Sequence, residues 1–188
     1  MKKISLLGST GSIGTNVLDV IERNPEKFQI LGMSAGNNVD LFAKQIRKFK
    51  PRVVALFDTK KIPTLKERIA DLDIEILSGE EGTIAVATLP EADVVVSGVM
   101  GSAGLLPAIH ALKSGKNLAL ANKETLVIAG ELVLREAKKT NSQIIPIDSE
   151  HSAIFQVLNG EKKERIKKII LTASGGPFRT FSSGQMET

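Results

Sequence analysis

No cysteine, tryptophan or tyrosine occurs anywhere in the chain, and histidine occurs only twice. Without cysteine there is no disulfide, no thiolate zinc site and no cysteine nucleophile. That fits a reducing cytosol, and a cytoplasmic protein is the expectation. Without Trp and Tyr, the basic runs lack the aromatic stacking groups that a nucleic-acid surface uses. Lys44, Arg47, Lys48, Lys50 and Arg52, and again Lys162, Lys163, Arg165, Lys167 and Lys168, are therefore read as solvated helix ends, and no nucleic-acid partner is expected. Long hydrophobic runs are missing too. Met1-Lys2-Lys3 starts like a signal peptide, but Gly8 breaks the apolar stretch after four residues. The uncharged stretch from Val94 to Leu112 contains Gly98, Gly101, Gly104 and Pro107, which suits strand, turn and helix rather than a membrane span. No membrane association is expected.

What is present is organised around Gly8-Ser9-Thr10-Gly11-Ser12-Ile13-Gly14. An apolar run, Ile4 to Leu7, enters it and a helical pattern (Val17, Leu18, Val20, Ile21) leaves it. A strand turning through glycines into a helix aims backbone N–H groups and a helix dipole at one point, which suits a phosphate. A glycine-rich connection without a ligand is the bland alternative for so short a motif. Downstream, strand and helix patterns alternate. Strands are expected at 28–34, 53–57, 73–77, 93–97, 117–121, 143–147 and 166–172. Helices are expected around Leu41, Phe42 and Ile46, and at 62–70, 83–89, 105–112, 125–139 and 152–158. The alternation predicts an α/β protein with a doubly wound parallel sheet, a Rossmann-like nucleotide-binding domain over residues 1–148.

In the NAD-binding version of this fold an acid about 20 residues past the glycines holds the ribose 2′-OH. Here the second strand ends in Ala35-Gly36-Asn37-Asn38, without a carboxylate. That favours NADP, although no Arg or Lys stands in the turn, and the asparagines equally suit a turn and a helix cap. Rossmann enzymes that depend on a catalytic tyrosine or cysteine are excluded by composition unless that residue lies outside these 188 residues.

Two polar stretches follow strand ends, where ligands gather in open α/β sheets. Ala121-Asn122-Lys123-Glu124 could serve cofactor and substrate, or simply start a helix with Glu124 at its positive end. In Asp148-Ser149-Glu150, an extended backbone would point both carboxylates the same way and offer them to one hard cation, Mg²⁺ or Mn²⁺. An acidic helix cap is the alternative. His151 is read as a neighbour of that site and His110 as structural. Ser174-Gly175-Gly176 suits either an anion nest or a hairpin loop.

Taken together, Gly8–Gly14, Ala35–Asn38, Ala121–Glu124, Asp148-Ser149-Glu150-His151 and Ser174-Gly175-Gly176-Pro177-Phe178 resemble the 1-deoxy-D-xylulose 5-phosphate reductoisomerase family, in order and spacing. The resemblance implies an NADPH-dependent enzyme of non-mevalonate isoprenoid synthesis, which rearranges 1-deoxy-D-xylulose 5-phosphate and reduces the product to 2-C-methyl-D-erythritol 4-phosphate. It implies cofactor contacts at Thr10, Gly11, Ser12, Ile13, Gly36, Asn37, Asn38, Asn122 and Glu124. Lys123, Ser149, Glu150 and Ser174 would contact the phosphorylated sugar, Asp148 and Glu150 would hold Mg²⁺ or Mn²⁺, and Lys123, Asp148 and Glu150 would be the catalytic set. It also implies a homodimer and a protein considerably longer than this chain, in which residues 149–188 begin a second, α+β catalytic domain that they do not complete. Two readings from other classes remain: a nucleotide-binding module without catalysis, and a piece of another NAD(P)-dependent dehydrogenase.

Overall fold

Short apolar runs bounded by turn formers alternate with amphipathic helices along the chain, and the computed structural model, which describes residues 1–171 and 180–186, orders them into one sheet. The strands are β1 (Lys2–Leu7), β2 (Phe28–Ala35), β3 (Val53–Leu56), β4 (Glu75–Ser78), β5 (Val94–Ser97), β6 (Asn117–Leu120) and β7 (Ile144–Pro146). The helices are α1 (Ser12–Arg23), α2 (Val39–Phe49), α3 (Ile62–Arg68), α4 (Gly79–Ala87), α5 (Leu105–Lys113), α6 (Glu124–Thr140) and α7 (Ser149–Leu158).

The strand order is β4-β3-β2-β1-β5-β6-β7, and every pair from β4 across to β6 is parallel. The fold is α/β and Rossmann-like, as the alternation predicts. Chain order reverses at β1, which lies between β2 and β5, and such a reversal opens a crevice at the strands' carboxyl ends. The register sharpens this: Leu7 stands opposite Ser34 on one side and Ser97 on the other, so the three strands end level.

Leu6, Leu7, Met33, Val54, Val95 and Leu118 are completely buried, as strands covered on both faces require. Helices α4, α5 and α6 bring Val86, Ala87, Ala108, Ile109, Leu112 and Val133 into one apolar cluster with strand residues. On α2, Phe42 and Ile46 are buried while Lys44, Arg47 and Lys48 face solvent.

Four expectations need correction, the first being the helix expected over 83–89, which runs over Gly79–Ala87. The helix expected from residue 125 to 139 is broken at Ala129, whose backbone (φ −145°, ψ 35°) is not helical. The break falls beside Gly130, and glycine is a weak helix former. The last helix begins at Ser149, three residues before the expected start, because Asp148 caps it. No strand forms over residues 166–171: an extended segment becomes a strand only when a neighbour takes up its backbone groups, and none does so among the described residues. Thr172, the end of that expected strand, lies outside the described residues.

The chain divides into two compact units, residues 1–145 and 146–188. Among the described residues no helix is long and apolar enough to cross a membrane.

Candidate functional site

In the first unit the carboxyl end of the sheet is built from four turns. The turn after β1 is held by β2: the carbonyl of Ser34 accepts from the amides of Gly8 (3.0 Å) and Ser9 (2.8 Å), and Gly8 accepts from Gly11 (3.1 Å). Gly8 has φ +79°, and a Cβ there would meet the Gly98 backbone at 3.0 Å, so this position needs glycine. Gly14 is tighter. A Cβ on it would stand 2.3 Å from the Gly8 carbonyl oxygen and 2.6 Å from Ser9 Cα. Its hydrogen atom is what lets α1 start directly against the turn.

With those bonds made, the amides of Thr10, Ser12 and Ile13 have no backbone acceptor among the described residues, while Gly11 and Ser12 are exposed. Unpaired amides at the start of a twelve-residue helix with no acidic residue in its first turn make an anion-accepting end. The expected contacts Thr10, Gly11, Ser12 and Ile13 are thus brought together.

The turn after β5 faces this one. Gly98 donates to the Leu7 carbonyl (2.9 Å), and a Cβ on Gly98 would approach both Leu7 O (3.3 Å) and Ile13 Cβ (3.4 Å). Gly98-Val99-Met100-Gly101-Ser102-Ala103-Gly104 repeats the spacing of Gly8–Gly14, at the neighbouring strand of the switch point. That repetition was the available signal for a second wall of the crevice, and reading the stretch only as a strand–turn–helix connection misses it.

After β6, Ala121 donates to the Ser97 carbonyl (3.1 Å) and extends the ladder toward Asn122. Asn122 is 4% exposed. Its Nδ2 donates to the Gly101 carbonyl (2.7 Å), which ties the two turns, while its Oδ1 is buried without a partner among the described residues. A buried amide oxygen left unpaired is costly, so it marks a place where a donor from a bound group fits. Lys123 and Glu124 are exposed at the start of α6, so this stretch is both a helix start and part of the crevice rim.

Beyond β2, Gly36, Asn37 and Asn38 are exposed. Asn38 caps α2, its Oδ1 accepting from the Leu41 amide (3.2 Å), which is the cap reading of that residue. Asn37 accepts from Lys61 Nζ through its main-chain carbonyl (3.0 Å). With Asn38, Asp40, Thr64 and Arg68, Asn37 and Lys61 line a cleft of about 470 Å³. Lys61 and Arg68 were outside the sequence reading, as was Gln45. The last is buried on α2 and holds Ser9 from both sides: Ser9 Oγ donates to Gln45 Oε1 (2.8 Å), and Gln45 Nε2 donates to the Ser9 carbonyl (2.9 Å).

In the second unit Asp148 is the cap of α7, its Oδ1 accepting from the His151 amide (3.0 Å). His151 Nδ1 lies 2.9 Å and 3.0 Å from its two carboxylate oxygens. Partial burial pushes this carboxyl up, but the His151 amide and ring outweigh it and hold the group below the usual carboxylate range. The extended-backbone argument for convergence of Asp148 and Glu150 fails here. Asp148 alone is extended (φ −77°, ψ 159°), while Ser149 and Glu150 are already helical, so the two carboxylates do not stand on one extended strand. Among the described residues no group of three or more His, Cys, Asp or Glu side chains is placed to hold a metal. Asp148 and Glu150 nevertheless fit a hard cation in kind, as two oxygen donors of an incomplete set. Ser149 and Glu150 line a cavity of about 660 Å³ with Lys167 and Lys168. Ser174, with Gly175 to Phe178, lies outside the described residues.

The family model of 1-deoxy-D-xylulose 5-phosphate reductoisomerase matches residues 4–130, and that of the C-terminal domain of the same enzyme matches residues 144–188. The chain is 50% identical over 187 residues to the 1-deoxy-D-xylulose 5-phosphate reductoisomerase of Lachnospira eligens, which covers 100% of this chain and 49% of that one. Among solved structures it matches the Zymomonas mobilis reductoisomerase in complex with NADPH (TM-score 0.90, 37% identity, 98% of this chain and 48% of that chain). It also matches a DOX-P reductoisomerase in complex with NADPH, fosmidomycin and magnesium (TM-score 0.89, 37% identity, 99% and 48%). The chain spans about half the length of the relatives it matches.

Proposed function

The chain belongs to the 1-deoxy-D-xylulose 5-phosphate reductoisomerase family, and from that premise we propose that it forms the NADPH-binding part, and the beginning of the catalytic part, of such an enzyme. The observation that carries the reading is the crevice at the switch point. Two glycine turns with the same spacing face each other there, with amides on one side and Asn122 Oδ1 on the other that find no partner among the described residues. On this reading the amides of Thr10, Ser12 and Ile13 take the cofactor's phosphates, with Gly11 allowing close approach. Gly36, Asn37 and Asn38 lie along its adenosine end, and Asn122 and Glu124 hold the nicotinamide side.

Lys123, Ser149, Glu150 and Ser174 are proposed to bind the phosphorylated sugar, with Lys123 supplying positive charge to its oxygens. Asp148 and Glu150 are proposed to hold the divalent ion, Mg²⁺ or Mn²⁺. His151 keeps Asp148 ionised and oriented, so that a carboxylate is ready at that position. When bound, the divalent ion would polarise the substrate's ketone for the rearrangement, and NADPH would supply the hydride that reduces the resulting aldehyde. The whole enzyme's conversion of 1-deoxy-D-xylulose 5-phosphate to 2-C-methyl-D-erythritol 4-phosphate, its dimeric state and its place in the cytoplasm belong to the same proposal. Residues 1–148 form the nucleotide domain on this reading, and 149–188 the start of the catalytic one.

A titration of the purified chain tests this. NADPH is expected to quench or shift in fluorescence on binding, weakly, and Mn²⁺ to bind by its paramagnetic signal. Turnover should be slight or absent. Asp148→Asn and Glu150→Gln should each weaken Mn²⁺ about tenfold or more and leave NADPH affinity as it was. Unchanged Mn²⁺ affinity in both variants defeats the metal assignment, and absence of NADPH binding defeats the cofactor reading.

A further inference from the structure

The turn after β2 carries no cation of its own, yet the structure brings two to it from the next strand–helix unit. The β2–β3 ladder continues past both strands: Phe57 donates to the Ala35 carbonyl (2.9 Å) and Asp58 to that of Gly36 (3.0 Å). Asp58 then caps a single turn, Thr59–Lys61, its side chain accepting from the Lys60 amide (3.1 Å). This pins Lys61 beside Asn37, where its Nζ donates to the main-chain carbonyl at 3.0 Å. Arg68, at the end of α3, reaches the same cleft and pairs with Asp40 at 3.2 Å. The cleft lining thus holds two cations against one carboxylate, and both cations are exposed. It sits at the end of the second strand, where nucleotide-binding sheets distinguish a ribose 2′-hydroxyl from a 2′-phosphate.

We infer that Lys61, with Arg68 behind it, recognises the 2′-phosphate of the cofactor, so that the preference for NADPH is carried by the turn after β3 and not by the turn after β2. The inference rests on the cofactor reading above and adds its selectivity. An ammonium has three donors. One is spent on the Asn37 carbonyl, which fixes the side chain over the cleft and leaves two for phosphate oxygens. Arg68 is partly neutralised by Asp40, so it contributes mainly field, and Lys61 is the residue on which discrimination turns.

The test compares 2′,5′-ADP with 5′-AMP, and NADPH with NADH, by calorimetry on the chain and on Lys61→Gln, Lys61→Arg and Arg68→Gln. Lys61→Gln should weaken 2′,5′-ADP and NADPH about tenfold or more while leaving 5′-AMP and NADH unchanged, the scale of a lost charge-assisted hydrogen bond. Lys61→Arg should keep most of the preference, and Arg68→Gln should reduce it less. The loss should also shrink as salt rises, since an exposed charge pair is screened. Equal loss for both nucleotides overturns the inference in favour of a turn-holding role for Lys61, and no loss for either overturns it outright. Both failures leave the cofactor reading standing. If the unsubstituted chain binds neither NADPH nor NADH, the cofactor reading itself falls, and the inference with it.

Discussion

Gly14→Ala should abolish NADPH binding and destabilise the chain by about 3 kcal/mol, the upper range for forcing an atom into a packed site. The new Cβ would stand 2.3 Å from the Gly8 carbonyl oxygen and 2.6 Å from Ser9 Cα, and all its nearest neighbours are backbone. A flexible side chain could swing away; a main-chain carbonyl cannot. Relief must come from lifting α1 off the turn, which misdirects the amides of Thr10, Ser12 and Ile13 together. For a unit of this size the loss corresponds to a fall in Tm of roughly 6–12 °C. Gly11→Ala is the control. Gly11 has φ −78°, and a Cβ there would find its nearest atom at 3.4 Å, an ordinary contact. Its Tm should stay within about 2 °C of the parent. Equal thermal losses in the two variants would contradict the steric account, since only one position lacks room.

This contrast also shows how far the primary structure could be read. Three glycines at a strand–helix junction announce a phosphate turn, and the flanking patterns placed it on β1 and α1. Spacing alone does not say that Gly8 and Gly14 are sterically obligatory while Gly11 is not, because that depends on which backbone lies opposite. The sheet was legible because buried parallel strands are unbroken apolar runs such as Val94-Val95-Val96. The expected strand over 166–172 shows the limit of that signal: a run can be strand-like and still carry no ladder. Asp148 and Glu150 were legible as a pair of carboxylates, but their geometry turned on where α7 starts, and the capping bonds of Asp148 moved that start by three residues. Lys61 was invisible because it approaches Asn37 from 24 positions away through the continued β2–β3 ladder. The absent acid after β2 said what the site would not repel, and only the fold said what would attract.

The residue most hidden from a linear reading carries the second large effect. Gln45 is a polar side chain among apolar ones on the inner face of α2, and it is 7% exposed beside a completely buried Ser9. Its amide meets Ser9 twice, its oxygen accepting from the hydroxyl at 2.8 Å and its nitrogen donating to the carbonyl at 2.9 Å. Gln45→Met keeps the volume and strands both Ser9 groups away from water, so it should cost about 2–4 kcal/mol, the sum expected for two buried groups losing partners. Ser9→Ala in the same background removes the stranded hydroxyl and should recover part of that cost, but not the share due to the carbonyl. Urea melts with unchanged m-values would measure the three variants on one scale. NADPH affinity should fall in Gln45→Met and stay low in the double variant, because the carbonyl bond sets the path of the turn between Gly8 and Gly11 whichever side chain Ser9 carries. If affinity returns in the double variant, the hydroxyl alone positions the turn. If Gln45→Met neither melts earlier nor binds less, α2 has no part in shaping the phosphate site. The expected pattern makes the glycine turn a structure held from two sides, by the Ser34 carbonyl at the end of β2 and by Gln45 on the helix that follows it.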